Sequence, residues 1–373
     1  MPIFKGNGID LCFEQTGART DPPVILIHGI GCQLVQWPAS FLDGLAQRDL
    51  RIIRIDNRDM GRSGWLTEAG PVDLMSTMAA MAVGDVVSSP YSLADMADDV
   101  VALLDHLGLA DAHVLGVSMG GMIAQHLAFE HGDRIRSLVS IMSSSGNSEL
   151  PPPSEDAAAV LVTAPPDNDR ASLIEHTRKT WDVVGGPHHA FQRGGHRPAR
   201  RGRRRPAQNP EGFTRQLAAI VADGSRVQRL GSVQVPTLVV HGEADPLIPP
   251  EAGKDTAQAI PDARLELIPE MGHDLPEPLI PDLVERIGNF ITGVEADRPP
   301  PHGVNAMSET ELVRVERDAG VTTVTLNRPD ALNALSTPLR KAIVRTFREL
   351  KDDPETEVVV SPAPVAPSPP AST

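Results

Sequence analysis

Residues Ala112-His-Val-Leu-Gly-Val-Ser-Met-Gly-Gly-Met122 carry the strongest structural signal in this sequence. An apolar run of strand length ends just before Ser118, and the residues after it are typical of a helix. Between them, Gly116-Val-Ser-Met-Gly120 matches the pattern G-x-S-x-G, in which a sharp strand-to-helix turn exposes a serine hydroxyl. Gly116 and Gly120 suit such a turn because a Cβ at either position would clash. We interpret Ser118 as a candidate nucleophile; the alternative interpretation is a glycine-rich turn around an ordinary serine.

Strands and helices alternate on both sides of this turn. Ser92-Leu-Ala-Asp95 is typical of a capping box that opens a helix, and a final amphipathic helix runs through Leu279 and Phe290. Strands separated by helices of this length predict an α/β fold with a doubly wound, mostly parallel sheet, built from residues 1–147 and 226–295. The predicted strands are residues 24–27, 51–56, 112–117, 135–142, 237–241 and 264–268.

Residues 148–225 interrupt this alternation. They begin with Pro151-Pro-Pro153, contain no clear strand, and show helical patterns around residues 171–181 and 212–222. An excursion of this length between strands of a sheet is predicted to be a cap or lid insert, in part disordered.

An arginine run at residues 193–205 lies inside this insert, with seven arginines and no acidic residue. One interpretation is a basic patch for nucleic acid or an acidic partner. The run has no interleaved aromatic residues and no periodicity, so we favour an irregular insert whose composition cannot bury a core. Because its codons are GC-rich and it interrupts the helical pattern, we also form the hypothesis that it is translated out of frame.

The composition limits the classes of function. The chain has 373 residues and a formal net charge of −15, which argues against a general nucleic-acid binder. Two cysteines are too few for a disulfide framework. No secretory leader is visible, and no run approaches the roughly 18 apolar residues that a membrane span needs. These features predict a cytoplasmic protein without a membrane span.

A serine nucleophile needs a base, and the base needs an orienting acid. His273 follows the predicted strand at residues 264–268, and Asp245 lies in a turn after the strand at residues 237–241. We prefer Asp245 to Glu243 because Glu243 is nearer the strand end. Asp274 is not expected to orient His273, since the two residues are adjacent. The order Ser, Asp, His is the one used by hydrolases with this nucleophile turn.

The oxyanion of a tetrahedral intermediate needs hydrogen-bond donors. The backbone N–H of Met119 is one candidate, because it follows the nucleophile at a helix N-terminus. The second candidate is the N–H of Ile30, in the loop His28-Gly29-Ile30-Gly31 after the first apolar strand. A simple strand-ending turn is the alternative interpretation of His28-Gly29.

Residues 1–295 resemble the α/β-hydrolase superfamily. The resemblance rests on five stretches in the order and spacing of that superfamily, within which the chain is most similar to the esterases that include aclacinomycin methylesterase and less so to enol-lactonases. It implies Ser118 as nucleophile, His273 as base, Asp245 as orienting acid, an acyl-enzyme intermediate, and neither cofactor nor metal. The five stretches are Leu26-Ile-His-Gly29, Asp56-Asn-Arg-Asp-Met-Gly-Arg-Ser63, Gly116-Val-Ser-Met-Gly-Gly121, His241-Gly-Glu-Ala-Asp245 and Gly272-His273.

A second resemblance begins after Asp297-Arg-Pro-Pro-Pro-His302, in a predicted linker at residues 296–310. Residues 311–360 resemble the opening of the enoyl-CoA hydratase/isomerase (crotonase) family: a β-hairpin, the turn Asn327-Arg-Pro329 and a helix at residues 338–350. A fragment of this size lacks that family's catalytic groups and most of its core, so no hydratase activity is expected. Residues 361–373 are predicted to be a disordered, proline-rich tail.

The function expected from these residues is hydrolysis of a small-molecule ester or lactone by a serine nucleophile. Two alternatives stay open. The chain could be an inactive or binding-only fusion product with a damaged cap, or a C–C bond hydrolase or cofactor-free perhydrolase with the same triad. The sequence leaves the substrate and the oligomeric state open.

Overall fold

The computed structural model describes residues 1–73, 76–77, 79–80, 87–163, 170–187, 209–298, 313–318, 321–326, 337–351, 353 and 358–360. The chain forms two compact units. The first comprises residues 1–17 and 22–296, and the second comprises residues 18–21 and 297–373. The arginine run at residues 193–205, most of the predicted linker and the predicted tail lie outside the described residues.

The first unit is built on an eight-stranded sheet with the strand order β1-β2-β4-β3-β5-β6-β7-β8. The six strands β4, β3, β5, β6, β7 and β8 are parallel. Strand β1 pairs with β2, and β2 with β4, in antiparallel fashion. The predicted fold class is confirmed. The strands are β1 Ile3–Gly6, β2 Ile9–Thr16, β3 Pro23–Ile27, β4 Arg51–Ile55, β5 Ala112–Val117, β6 Ile135–Ile141, β7 Thr237–Gly242 and β8 Arg264–Ile268.

The helices cover both faces of this sheet. Ser92 caps α2 as its sequence predicts: the Asp95 N–H donates to Ser92 Oγ, and the Ser92 N–H donates to Asp95 Oδ2. The helices are α1 Ala39–Ala46, α2 Leu93–His106, α3 Met119–Glu130, α4 Glu155–Val162, α5 Arg170–Val184, α6 Pro210–Asp223, α7 Val227–Leu230, α8 Pro250–Ala259 and α9 Ile280–Asp297.

Side chains of the central strands alternate between two apolar cores, one on each face of the sheet. Ile25 and Ile27 of β3 pack in the core that α2 and α3 cover. Val24 and Leu26 pack in the core that α1 and α9 cover. Because both of its faces are buried, β3 has a continuous apolar sequence from Val24 to Ile27.

The segment between β6 and β7 contains α4, α5, α6 and α7, and no strand is found among its described residues. Helix α6 is fixed to the core by an ion pair in which Arg215 Nε and Nη2 each lie 2.8 Å from an oxygen of Asp59. Both side chains are fully buried. A guanidinium that binds both oxygens of a carboxylate also fixes the orientation of the helix that carries it.

The described residues of the second unit form a three-stranded sheet and one helix. Strands β9 Val313–Asp318 and β10 Val321–Leu326 are antiparallel, and β11 Val358–Val360 pairs with β10 in parallel. Helix α10 spans Thr337–Lys351, close to the predicted residues 338–350. The predicted turn at residues 327–329 lies outside the described residues. Within the described part of the chain, no helix is long and apolar enough to cross a membrane.

Candidate active site

Ser118 occupies the turn between β5 and α3 with φ 55° and ψ −122°, a conformation that side-chain-bearing residues rarely adopt. The turn is possible because Gly116 and Gly120 lie against backbone atoms. A Cβ added to Gly116 would be 2.0 Å from the carbonyl oxygen of Gly120, and one added to Gly120 would be 2.1 Å from that of Ile27. The strained backbone holds the Ser118 side chain at the carboxyl edge of the sheet.

A chain of two hydrogen bonds joins Ser118, His273 and Asp245. Ser118 Oγ lies 3.0 Å from His273 Nε2, and His273 Nδ1 lies 2.8 Å from Asp245 Oδ2. The three residues follow β5, β8 and β7, and the carboxyl ends of parallel strands meet at one edge of the sheet. Asp245 and His273 are buried, whereas Ser118 is part-exposed. The arrangement is suited to moving a proton from a serine hydroxyl to an imidazole.

The Asp245 carboxylate is held by its own turn. Its Oδ1 accepts hydrogen bonds of 2.9 Å from the N–H groups of Leu247 and Ile248, which leaves Oδ2 directed at His273. Glu243, the rival acid, is exposed. Asp274 accepts a hydrogen bond from the Gly186 N–H through Oδ1. The structure therefore brings Asp245, rather than either neighbouring acid, to His273.

His241 lies beside this acid at the end of β7. Its Nε2 is 2.8 Å from the carbonyl oxygen of Ile248, and the same nitrogen is 3.6 Å from Asp245 Oδ2. Burial lowers the pKa of His241, so the imidazole is neutral at neutral pH and donates its Nε2 proton to Ile248. This bond closes the turn from which Asp245 projects.

The loop of residues 28–31, which we call the oxyanion loop because Ile30 is a predicted oxyanion donor, passes next to Ser118. A Cβ added to Gly29 would lie 3.1 Å from Ser118 Cβ. Neither the Ile30 N–H nor the Met119 N–H has a protein acceptor among the described residues. Met119 is the first residue of α3, where the helix dipole favours negative charge. Both predicted donors thus have N–H groups available to a ligand.

His28 opens the oxyanion loop as a neutral side chain. Its Nδ1 accepts a 2.9 Å hydrogen bond from the Gly29 N–H, which requires that this nitrogen carry no proton. Burial lowers the pKa of His28 to about 4. The Asn57 side chain donates to the His28 carbonyl oxygen at 3.0 Å and holds the start of the loop.

Three supporting contacts have no signal in the sequence. Ser143 Oγ donates to the Ser118 carbonyl oxygen at 2.8 Å, and the His273 N–H donates to the Val184 carbonyl oxygen at 2.8 Å. Gln216 binds the oxyanion loop through the Gly31 N–H. These partners lie on segments that only folding brings together, so no local pattern could have identified them.

The two cysteine thiols are poor rivals to Ser118 as nucleophiles. Burial, the largest cause in each case, raises the pKa of Cys12 to about 11 and that of Cys32 to about 12. Both thiols are therefore protonated at neutral pH, and the thiolate is the reactive form. Within the described ranges, no three His, Cys, Asp or Glu side chains are grouped so that they could hold a metal ion.

Comparison with known proteins identifies chains to which this one is similar. A family model described as alpha/beta hydrolase fold matches residues 22–277. The chain is 27% identical over 299 residues to rhodomycin D methylesterase DnrP of Streptomyces peucetius, with 74% of this chain and 92% of that protein covered. It is 25% identical over 290 residues to the bifunctional esterase/perhydrolase DCH of Acinetobacter calcoaceticus, with 74% and 93% covered.

Solved structures share the fold. The enol-lactonase from Burkholderia xenovorans LB400 superposes with a TM-score of 0.55 at 20% identity, covering 78% of this chain and all of that one (100%). A thermophilic esterase from Thermogutta terrifontis gives a TM-score of 0.53 at 23% identity, covering 79% and 99%. At these identities the likeness concerns the fold.

Proposed function

Since this chain belongs to the alpha/beta hydrolase fold family, we propose that it is a serine hydrolase that cleaves a carboxylic ester or lactone of a small molecule. The observation that carries the proposal is the pair of hydrogen bonds from Ser118 Oγ to His273 and from His273 to Asp245. Esterases and lactonases among the similar proteins support the same class of reaction.

In the first half of the reaction, His273 Nε2 takes the proton of Ser118 Oγ as this oxygen bonds to the ester carbonyl carbon. The carbonyl oxygen becomes an oxyanion, and the N–H groups of Ile30 and Met119 donate to it. The C–O bond to the alcohol then breaks, and His273 gives its proton to the departing alkoxide. Asp245 stabilises the imidazolium that exists between these two proton transfers.

In the second half, water attacks the acyl group on Ser118. His273 accepts the proton of the attacking water, the oxyanion forms again, and its collapse releases the carboxylic acid and returns the proton to Ser118 Oγ. In a lactone, the alcohol stays attached to the acyl group, so the product of ring opening leaves as one hydroxy acid. No cofactor enters either half.

Turnover of p-nitrophenyl acetate and butyrate by the wild type and by Ser118→Ala tests this proposal. We expect the variant to lose about 10⁴-fold or more in kcat, because the covalent route is removed. Equal rates in the two proteins would overturn the proposal. Labelling by a fluorophosphonate, with identification of the modified peptide, gives an independent readout, and we expect the label on Ser118.

The same triad supports a second reaction, perhydrolysis, which the similarity to the bifunctional esterase/perhydrolase favours. Hydrogen peroxide would replace water as the group that attacks the acyl-enzyme, and a peracid would form in place of the acid. Peracid formation from acetate ester and peroxide, measured in the wild type and in Ser118→Ala, distinguishes this reaction from hydrolysis alone. C–C bond hydrolysis is the other chemistry open to this triad.

We also propose that the chain is divided into regions with different roles. Residues 1–147 and 226–295 form the hydrolase core, and residues 148–225 form the cap that walls the acyl pocket. We propose that residues 311–360 are a truncated crotonase-like fragment, and this proposal rests on the resemblance of their sequence alone. The expected partners are small molecules rather than nucleic acid, and the cytoplasmic location stays a prediction.

A further inference from the structure

Gln216 is a fully buried amide in the middle of α6, and both ends of it bind backbone groups of other segments. Its Oε1 accepts a 2.9 Å hydrogen bond from the Gly31 N–H in the oxyanion loop. Its Nε2 donates a 2.9 Å hydrogen bond to the Arg58 carbonyl oxygen in the segment after β4. A buried amide satisfied in this way is costly to misplace, so it fixes the groups that it joins.

The end of the oxyanion loop is shaped against the same helix. Gly31 has φ +69°, a conformation that favours glycine, and a Cβ added there would lie 2.9 Å from Phe213 Cδ2. Ile30, whose N–H is a predicted oxyanion donor, is the residue immediately before Gly31. The hydrogen bond to Gln216 therefore fixes the peptide unit that follows Ile30.

Helix α6 can hold the oxyanion loop in place because hydrogen bonds and an ion pair attach this helix to the rest of the protein. Arg215 binds both carboxylate oxygens of Asp59 and donates to the Gly70 carbonyl oxygen at 2.6 Å. Asn209, the N-cap of α6, donates to the Asp59 carbonyl oxygen at 2.9 Å. Both residues precede Gln216 in the chain, and their contacts join the first half of α6 to Asp59, the residue after the Arg58 carbonyl group that Gln216 binds.

We propose that Gln216 is a positioning residue that holds the oxyanion loop in the geometry needed for catalysis. The inference rests on the proposed hydrolase function. Gln216 touches no reacting atom, and it acts through Gly31 on the Ile30 N–H. Because the oxyanion forms only as the reaction proceeds, loss of Gln216 is expected to lower kcat with little change in KM.

The test compares Gln216→Met with a matched control, Gln125→Met. Gln125 is equally buried and also joins two groups, since it accepts from Arg226 Nε and donates to the Ser144 carbonyl oxygen. It makes no contact with the oxyanion loop among these hydrogen bonds. We expect Gln216→Met to lower kcat for p-nitrophenyl butyrate by about 10- to 100-fold, the range for a misplaced catalytic group, and Gln125→Met to change it by less than about threefold.

Hydrogen exchange supplies a readout that does not depend on turnover. We expect faster amide exchange in the peptide covering residues 28–32 in Gln216→Met, because the Gly31 N–H loses its acceptor, and unchanged exchange there in Gln125→Met. Gln216→Glu keeps an acceptor for the Gly31 N–H. It should restore part of kcat, and it serves as the second variant if the methionine variant does not fold.

Three results would overturn the role of Gln216: unchanged exchange at residues 28–32, unchanged kcat, or an equal loss of kcat in the Gln125 control. If Ser118→Ala loses activity while Gln216→Met does not, the positioning role alone fails. If Ser118→Ala and the wild type turn over ester equally, the proposed hydrolysis fails, and exchange still shows whether Gln216 holds the loop.

Discussion

The two flanks of Ser118 are built in different ways. On the acid–base flank, Asp245 and His273 extend from the ends of β7 and β8, and Asp245 is oriented by the N–H groups of its own turn. On the oxyanion flank, the loop of residues 28–31 is held by α6, a helix of the inserted segment. The strands of the sheet position the residues of the first flank. The second depends on docking of a helix from a distant part of the chain, so we expect changes in α6 to act on catalysis through this flank.

The largest expected effect concerns the acid–base flank. Asp245→Asn should lower kcat by about 10³- to 10⁴-fold, since an amide no longer holds His273 in the required tautomer or stabilises its imidazolium. Glu243→Gln, at the exposed rival acid, is the matched control and should leave kcat within about threefold of the wild type. Steady-state kinetics with p-nitrophenyl butyrate measure both. A larger loss of kcat in the Glu243 variant than in the Asp245 variant would mean that Glu243, and not Asp245, orients His273.

The next largest expected effect concerns the ion pair that attaches α6, and with it the oxyanion flank, to the core. Arg215→Met leaves Asp59 buried without its partner, which should lower the free energy of unfolding by about 3–5 kcal/mol. Arg286→Met is the control, because Arg286 pairs with Asp282 and Glu266 at the surface and is 38% exposed. Its removal should cost about 0–1 kcal/mol. Urea unfolding at neutral pH compares the two, and similar losses would contradict the role of the buried pair.

The free energy of unfolding should depend on pH through His28, a residue of the oxyanion flank. The pKa of His28 is lowered to about 4 in the folded protein, whereas an unfolded histidine titrates near about 6.5. Between about pH 4 and about pH 6.5, the His28 imidazole binds a proton in the unfolded chain but not in the folded chain. The free energy of unfolding therefore falls as the pH decreases towards 4, by about 2 kcal/mol at about pH 5 relative to neutral pH.

The variant His28→Asn isolates this contribution. Its loss of stability between about pH 7.5 and about pH 5 should be smaller than that of the wild type by about 2 kcal/mol. Urea unfolding at both pH values gives the difference. An identical pH dependence in the two proteins would mean that His28 is not held neutral by the fold.

The smallest expected effect separates the cost of backbone strain from the effect of contact with α6. Gly31→Ala and Gly108→Ala both place a Cβ on a residue with positive φ, at a cost of about 1–2 kcal/mol each. Only Gly31 faces Phe213, whereas a Cβ on Gly108 has no atom within 4 Å. In addition to this loss of stability, we expect kcat to fall by about three- to tenfold in Gly31→Ala but not in Gly108→Ala. Equal kcat values in the two variants would show that contact with α6 does not shape the loop.

Several elements could be predicted from the sequence because their signals are local. Strands β3 and β7 contain the apolar runs Val24–Ile27 and Leu238–Val240, and α2 begins at a capping box that the structure contains. The antiparallel strands β1 and β2 were missed. Strand β1 has only four residues and lies at the edge of the sheet, and the buried stretch of β2 is only three residues long, between more exposed ends. Helices α1, α4, α7 and α8 were missed too; α7 has four residues, too short for a periodic pattern.

The candidate site divides in the same way. The sequence by itself determined the candidate catalytic groups, because the turn at Ser118 and the strand ends before Asp245 and His273 have their own local patterns. The tertiary structure alone decided what holds these groups: Ser143 under Ser118, Val184 behind His273 and Gln216 on the oxyanion loop. The physical reason is that a buried hydrogen bond needs only one donor and one acceptor at the right distance, and its two residues can lie anywhere along the chain.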